Sequence, residues 1–140
     1  MTDRRVLFVC VENACRSLMA EAVFNARAPR GWRAVSAGTE PARAPNPRTA
    51  AMLREIGLAL PEHLPQGLTS ELLDAATVRI TMGCLDHQSC PARLRDGPLT
   101  DWALPDPAAL DDDGFRRVRD EIVRRVAALR DELAARPPVT

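Results

Sequence analysis

Residues 6–24 read VLFVCVENACRSLMAEAVF, and the change of pattern inside this stretch decides the architecture. Val6-Leu7-Phe8-Val9 is a continuous apolar run, as expected of a strand buried on both faces of a parallel sheet. A seven-residue turn from Cys10 to Arg16 follows. From Ser17 to about Arg27 the apolar residues Leu18, Met19, Ala22 and Val23 recur at spacings of three and four, the stripe of a helix. A buried strand running through a short turn into a helix is the opening of an α/β unit.

The rest of the chain continues the alternation. Trp32 to Ala37 reads as a second strand closed by Gly38. Thr39 to Pro47 carries three prolines and is a surface loop. Asn46-Pro47 starts a helix, with Asn as cap and Pro in the first turn. That helix is expected to run to about Ile56, with Ala50, Met52, Leu53 and Ile56 inward, and to end at Gly57. Ser70 to Ala75 reads as a short helix and Thr77 to Met82 as a β-rich third strand. Leu99 to Leu104 holds a fourth, short strand. Asp111, Asp112 and Asp113 open the last helix, where acidic groups suit the positive end of the helix dipole. Its Phe115, Val118, Ile122, Val126, Leu129 and Leu133 form one apolar face. Arg136-Pro137-Pro138 ends it, and residues 136–140 are expected to fray. The expectation is one domain over residues 1–140. It is a three-layer α/β/α fold on a central four-stranded parallel sheet, with active loops at the carboxyl ends of the strands.

Composition narrows the function classes. The 140 residues carry 19 basic and 19 acidic side chains, so the net charge is zero and no footprint for nucleic acid or an anionic membrane is expected. Every basic residue is Arg, and Tyr is absent. Lys Schiff-base chemistry, a P-loop lysine and a Tyr general acid are thereby excluded. No run of apolar residues is long enough to span a bilayer. The N-terminal residues lack the pattern of a secretory signal, so the expected location is cytoplasmic. In that reducing compartment, four cysteines point to catalysis or metal binding rather than structural disulfides.

The turn Cys10-Val11-Glu12-Asn13-Ala14-Cys15-Arg16-Ser17 is the first site. Between a strand and a helix, its backbone N–H groups and the positive helix end face whatever the loop holds. Val11, Glu12, Asn13, Ala14 and Cys15 form the expected oxyanion-binding loop. The same field and Arg16 favour the thiolate of Cys10, which is the nucleophilic form. Arg16 offers a planar fork that matches a tetrahedral oxyanion, and Ser17 can donate to the Cys10 sulfur. Further on, Trp102-Ala103-Leu104-Pro105-Asp106-Pro107 is a proline-stiffened loop presenting one carboxylate. Asp106 is the candidate general acid, against the alternative of capping a turn, and Asp101 is a second candidate acid.

The stretch from Val6 to Phe24 resembles the low-molecular-weight tyrosine phosphatases, and within them the thioredoxin-coupled arsenate reductases. Val35 to Glu40 (VSAGTE), Asn46-Pro47 and Phe115 to Ile122 (FRRVRDEI) resemble the same group. The resemblance implies Cys10 as nucleophile, Arg16 as oxyanion binder, Ser17 as thiolate stabiliser and Asp106 as acid. It also implies a disulfide relay: Cys10 attacks arsenate, Cys84 attacks Cys10 with release of arsenite, and Cys90 attacks Cys84. Thioredoxin then reduces the Cys84–Cys90 disulfide. No tightly bound cofactor is implied, and the expected chain is a monomer acting on arsenate with phosphate or sulfate as competitors. The alternative is a low-molecular-weight protein tyrosine or small-molecule phosphatase. The tyrosines that usually follow the Asp-Pro in those enzymes are replaced by Ala108-Ala109.

Five residues separate Cys84 from Cys90, where six are expected from the family. The spacing Cys84-x2-His87-x2-Cys90 also admits a zinc reading, but no second ligand pair accompanies it, so no metal site is expected. Asn13, Glu21 and Ser36 match family positions that brace the loop and in some members bind potassium. Gln66 stands where a further carboxylate is expected, so bracing by hydrogen bonds is the reading preferred over a potassium site. His63 reads as a turn or supporting residue rather than a base, and Cys15 as an inward-packed bystander.

Overall fold

The computed structural model describes residues 3–83, 94 and 99–135. Its elements are β1 (Arg4–Cys10), α1 (Arg16–Ala26), β2 (Trp32–Gly38), α2 (Pro47–Arg54), α3 (Ser70–Ala75), β3 (Ala76–Thr81), β4 (Thr100–Asp101) and α4 (Asp112–Ala135). The sheet has the order β2-β1-β3-β4, and every neighbouring pair is parallel. The expected four-stranded parallel sheet is observed. Because β2 and β3 flank β1 on opposite sides, the chain changes winding direction at β1. The crevice at the carboxyl end of such a strand is where α/β folds bind ligands.

The pleat of β1 sends alternate side chains to opposite faces. Val6, Phe8 and Cys10 join a large core with Met19, Val23 and Phe24 of α1, Leu53 of α2, and Phe115, Ile122 and Val126 of α4. Leu7 and Val9 face a smaller cluster with Ala37, Leu73 of α3 and Leu94. Both faces of the central strand are therefore dry, which is why it reads as an unbroken apolar run. All six residues of the expected α4 stripe are buried.

The second helix departs from expectation. α2 ends at Arg54 and three turn residues follow, so Ile56 lies outside the helix and is 36% exposed. The helical periodicity at 53–56 was overridden by the turn. Leu58 N–H bonds back to the Leu53 carbonyl, and Gly57 takes φ +79°, so the chain reverses before Ile56 can turn inward. Asn46 caps α2 as expected, its side chain accepting from Arg48 N–H at 2.9 Å. Among the described residues no helix is long and apolar enough to cross a membrane.

Candidate active site

The loop from Val11 to Cys15 leaves β1 and enters α1, and its carbonyls are pulled outward one by one. Thr39 N–H bonds Cys10 O at 3.1 Å, Glu40 N–H bonds Val11 O at 2.7 Å, and Ala42 N–H bonds Glu12 O at 2.9 Å. Ala14 O accepts from Asn46 N–H at 3.2 Å and from the Thr49 hydroxyl at 2.7 Å. A peptide whose carbonyl faces outward turns its N–H inward, so these bonds aim the loop amides at the loop's centre. With the N-terminus of α1 behind them, they form an anion cradle. The cradle needs a glycine beside it: a Cβ on Gly38 would lie 2.6 Å from Val11 O and 2.9 Å from Asn13 N.

Cys10 is 3% exposed at the floor of a cavity of about 360 Å³. Val11, Glu12, Ala14, Cys15, Arg16, Gly83, Leu104, Asp106 and Ala108 line the rest. The sulfur lies 2.9 Å from Ser17 Oγ and 3.2 Å from Asn13 N–H, which donates to it. Proton positions around it follow from the network. Gln66 N–H donates to Asn13 Oδ1 at 3.0 Å, which identifies Nδ2 as the amide end. Nδ2 donates to Ser17 Oγ at 2.7 Å and to Ser36 Oγ at 3.0 Å. Ser36 then donates to Glu21 Oε1 at 2.6 Å. Ser17 Oγ accepts from Asn13 Nδ2, and its own hydroxyl hydrogen remains to be donated to an ionised Cys10 sulfur. The Asn13 N–H and the Ser17 hydroxyl both lie within hydrogen-bond reach of the sulfur. Asn13 holds this position with φ +53°, a left-handed conformation that Asn tolerates better than most residues.

Asn13, Ser36 and Glu21 are joined in that order by hydrogen bonds. Gln66 joins the network through Nε2 on the Ser36 carbonyl at 2.8 Å. His63 joins it too, with Nε2 at 2.9 Å from Glu21 Oε1 and Nδ1 at 2.7 Å from the Leu64 carbonyl. Burial opposes the charged imidazole, but the Leu64 carbonyl and Glu21 outweigh it and hold His63 above the usual histidine range. Both ring nitrogens face acceptors, which suits the imidazolium.

Arg16 is 9% exposed. Its Nη1 donates to the carbonyls of Met82 and, at 2.8 Å, Leu104. Among the described residues Nε and Nη2 carry no hydrogen bond, so one edge of the guanidinium remains for an oxyanion. Cys15 packs inward as expected: burial pushes its thiol up to about 11, with Thr49 opposing.

Asp106 lines the cavity and also caps its own turn, Oδ1 accepting from Ala108 N–H at 3.0 Å. The turn-capping reading is observed, and the carboxylate also faces the cavity that holds Cys10. Asp101, the other candidate acid, is not among the cavity-lining residues. Its Oδ1 is engaged by three donors. Cys84 and Cys90, with His87 between them, lie outside the described residues, as does the expected frayed tail at 136–140. Among the described residues no cluster of three His, Cys, Asp or Glu side chains is placed to hold a metal.

Sequence reasoning missed Thr49, which is fully buried and ties α2 to the loop. A threonine in the first turn after Asn46-Pro47 carried no signal of its distant partner. It also missed the two carbonyls that grip Arg16, since any residue supplies a carbonyl.

Known proteins resemble this chain in sequence and in fold. The profile described as "Low molecular weight phosphotyrosine protein phosphatase" matches residues 5–138. Arsenate reductase 1 of Staphylococcus epidermidis is 30% identical over 122 residues, covering 87% of this chain and 92% of that protein. The solved structure of an arsenate reductase in the phosphate binding state superposes with a TM-score of 0.81 at 29% identity, covering 92% and 98% of the two chains. The Corynebacterium glutamicum thioredoxin-dependent arsenate reductase superposes at 0.77 with 31% identity, covering 94% of this chain and 62% of that one. The chain belongs to the low molecular weight phosphotyrosine protein phosphatase family.

Proposed function

We propose that this protein reduces arsenate to arsenite with Cys10 as nucleophile, and that Cys84, Cys90 and thioredoxin recycle it. The observation that carries the reading is the Cys10 sulfur, held by Ser17 and Asn13 at the floor of an anion cradle beside Arg16. That arrangement serves phosphate and arsenate alike. Two features of the chain favour arsenate: the second cysteine pair, and Ala108 at the cavity mouth where a phosphotyrosine-binding aromatic would stand. The relatives named arsenate reductases support the same choice.

The chemistry balances as follows. The Cys10 thiolate attacks arsenic, and one arsenate oxygen leaves as water with a proton from Asp106. The Cys84 thiolate attacks the Cys10 sulfur. The sulfur–arsenic electron pair stays on arsenic, which departs as arsenite, two electrons richer, while a Cys10–Cys84 disulfide forms. Cys90 attacks Cys84, freeing Cys10 and moving the disulfide to Cys84–Cys90. The dithiol of thioredoxin reduces that bond. The protein acts in this reading as a cytoplasmic monomer, with no tightly bound cofactor and with phosphate or sulfate competing for the loop.

The deciding experiment follows arsenate-dependent NADPH oxidation in the presence of thioredoxin and thioredoxin reductase. Multiple turnovers are expected, abolished by Cys10→Ser and stopped after the first adduct by Cys84→Ser. Normal turnover in Cys84→Ser refutes the relay. No turnover together with hydrolysis of an aryl phosphate makes the protein a phosphatase.

A further inference from the structure

Asp101 ends β4 and presents one carboxylate oxygen to three donors from three places. Its Oδ1 accepts from Gly83 N–H at 2.7 Å, from the Thr81 hydroxyl at 2.9 Å and from Ala103 N–H at 3.1 Å. Gly83 N–H belongs to the same peptide unit as the Met82 carbonyl, and that carbonyl accepts from Arg16 Nη1. One peptide plane therefore lies between an anion and a cation, in the order carboxylate, N–H, C=O, guanidinium. Its dipole runs along the field of both charges, so each hydrogen bond strengthens the other. A second path runs through the acid loop. Ala103 N–H is held by Asp101, and the next residue, Leu104, offers its carbonyl to the same Nη1 at 2.8 Å.

Both paths pass through unusual backbone. Ala103 has φ +50° and Gly83 has φ +106°. A residue with a Cβ seldom adopts the first, and it persists only where the surroundings hold it. Asp101 is the side chain that holds the N–H of both residues.

The geometry points to Asp101 as the positioning residue for Arg16. It sets the Met82–Gly83 peptide and the Ala103 turn so that two carbonyls grip Nη1 and leave Nε and Nη2 for the oxyanion. A carboxylate in direct contact with Arg16 would occupy the fork and compete with substrate. Relayed through a peptide, the same charge orients the guanidinium without covering it. The inference rests on the reading of the Cys10 loop as an oxyanion site, and not on arsenate reduction or thioredoxin.

The test is calorimetric binding of inorganic phosphate to the full chain, with the melting temperature measured for every variant. Asp101→Ala is expected to weaken phosphate binding roughly 10-fold or more, the scale of a displaced positioning group. Asp101→Asn keeps an oxygen acceptor but loses the charge, and is expected to weaken phosphate binding less than Asp101→Ala does. Thr81→Val removes a donor from the same oxygen but leaves the Arg16 peptide alone. It is expected to lower the melting temperature with phosphate affinity unchanged. Should Asp101→Ala fail to fold, Asp101→Glu keeps the charge while displacing the oxygen by one methylene, and is expected to weaken phosphate binding. Unchanged phosphate affinity in a folded Asp101→Ala or Asp101→Glu protein overturns the assignment while leaving the oxyanion site standing. No phosphate binding by the unsubstituted chain overturns both.

Discussion

The Ser17 hydroxyl stands 2.9 Å from the Cys10 sulfur, and its oxygen accepts from Asn13 Nδ2 at 2.7 Å. Once Cys10 is ionised the hydroxyl is the donor between them, and the Asn13 amide orients it from the other side. Removing Ser17 as Ser17→Ala deletes one hydrogen bond to a charged group, worth about 1.5–3 kcal/mol. The rate of arsenate reduction is expected to fall by roughly ten-fold to a hundred-fold. Asn13→Ala should fall in the same direction although Nδ2 does not touch the sulfur, because the hydroxyl loses its orientation. Steady-state kinetics with arsenate decide both, and an unchanged Asn13→Ala rate refutes the ordering.

Asp106 both caps a turn and lines the cavity. Asp106→Asn retains an Oδ1 acceptor for Ala108 N–H but cannot give up a proton to a departing oxygen. The expected result is an unaltered melting temperature with arsenate turnover lowered by roughly 10²- to 10⁴-fold. A large stability loss with near-normal turnover of the folded fraction makes the cap its sole role.

Gly38 lies where β2 passes the cradle, too close for any side chain. In Gly38→Ala the added carbon would meet Val11 O at 2.6 Å and Asn13 N at 2.9 Å, both backbone atoms. Relief requires the loop itself to move. The expected cost is about 1–3 kcal/mol of stability with loss of phosphate binding, read by thermal unfolding and calorimetry.

The two cysteines of the loop differ in environment. Cys15, pushed up to about 11, is thiolate in roughly one part per thousand at pH 8. Iodoacetamide at pH 8 is expected to label Cys10 well before Cys15, and phosphate is expected to slow the Cys10 reaction. Peptide mass mapping over time decides it, and equal labelling rates refute the distinction.

Glu55 follows α2 and faces α4, with Arg116 Nη2 at 2.9 Å and Arg119 Nη1 at 2.6 Å. Arg116, then Arg119, lower its pKa from 4.5 to about 2. Its contribution to stability is therefore complete above about pH 4.5 and disappears as pH falls toward 2. Glu55→Gln should be less stable than the unsubstituted chain at pH 6, and the gap should close on acidification. Acid-unfolding curves with a constant gap refute this.

The local pattern of the chain determined a good deal. The unbroken apolar run at Val6–Val9 determined a central buried strand, because only a strand dry on both faces needs no polar residue. The spacing in α4 determined its buried face for the same reason: one period, one partner surface. Cys10, Arg16 and Ser17 were legible because they sit within eight consecutive residues, and a strand-to-helix turn constrains where their groups face. Ile56 was misplaced because helical spacing reports a tendency, and the Leu58 N–H bond to Leu53 overrides it.

What the tertiary structure alone decided involves partners far apart in the chain and groups that every residue carries. Gly38 reads locally as the end of a strand, and its necessity comes from the backbone of residues 11–13 crossing it. Asp101 reads as a spare acid, and folding engages its oxygen with donors at 81, 83 and 103. Arg16 reads as an oxyanion fork, and folding engages its Nη1 with the carbonyls of Met82 and Leu104. Backbone carbonyls and amides have no letter in a sequence, so the orientation of the nucleophile and its arginine emerges only when distant strands are brought side by side.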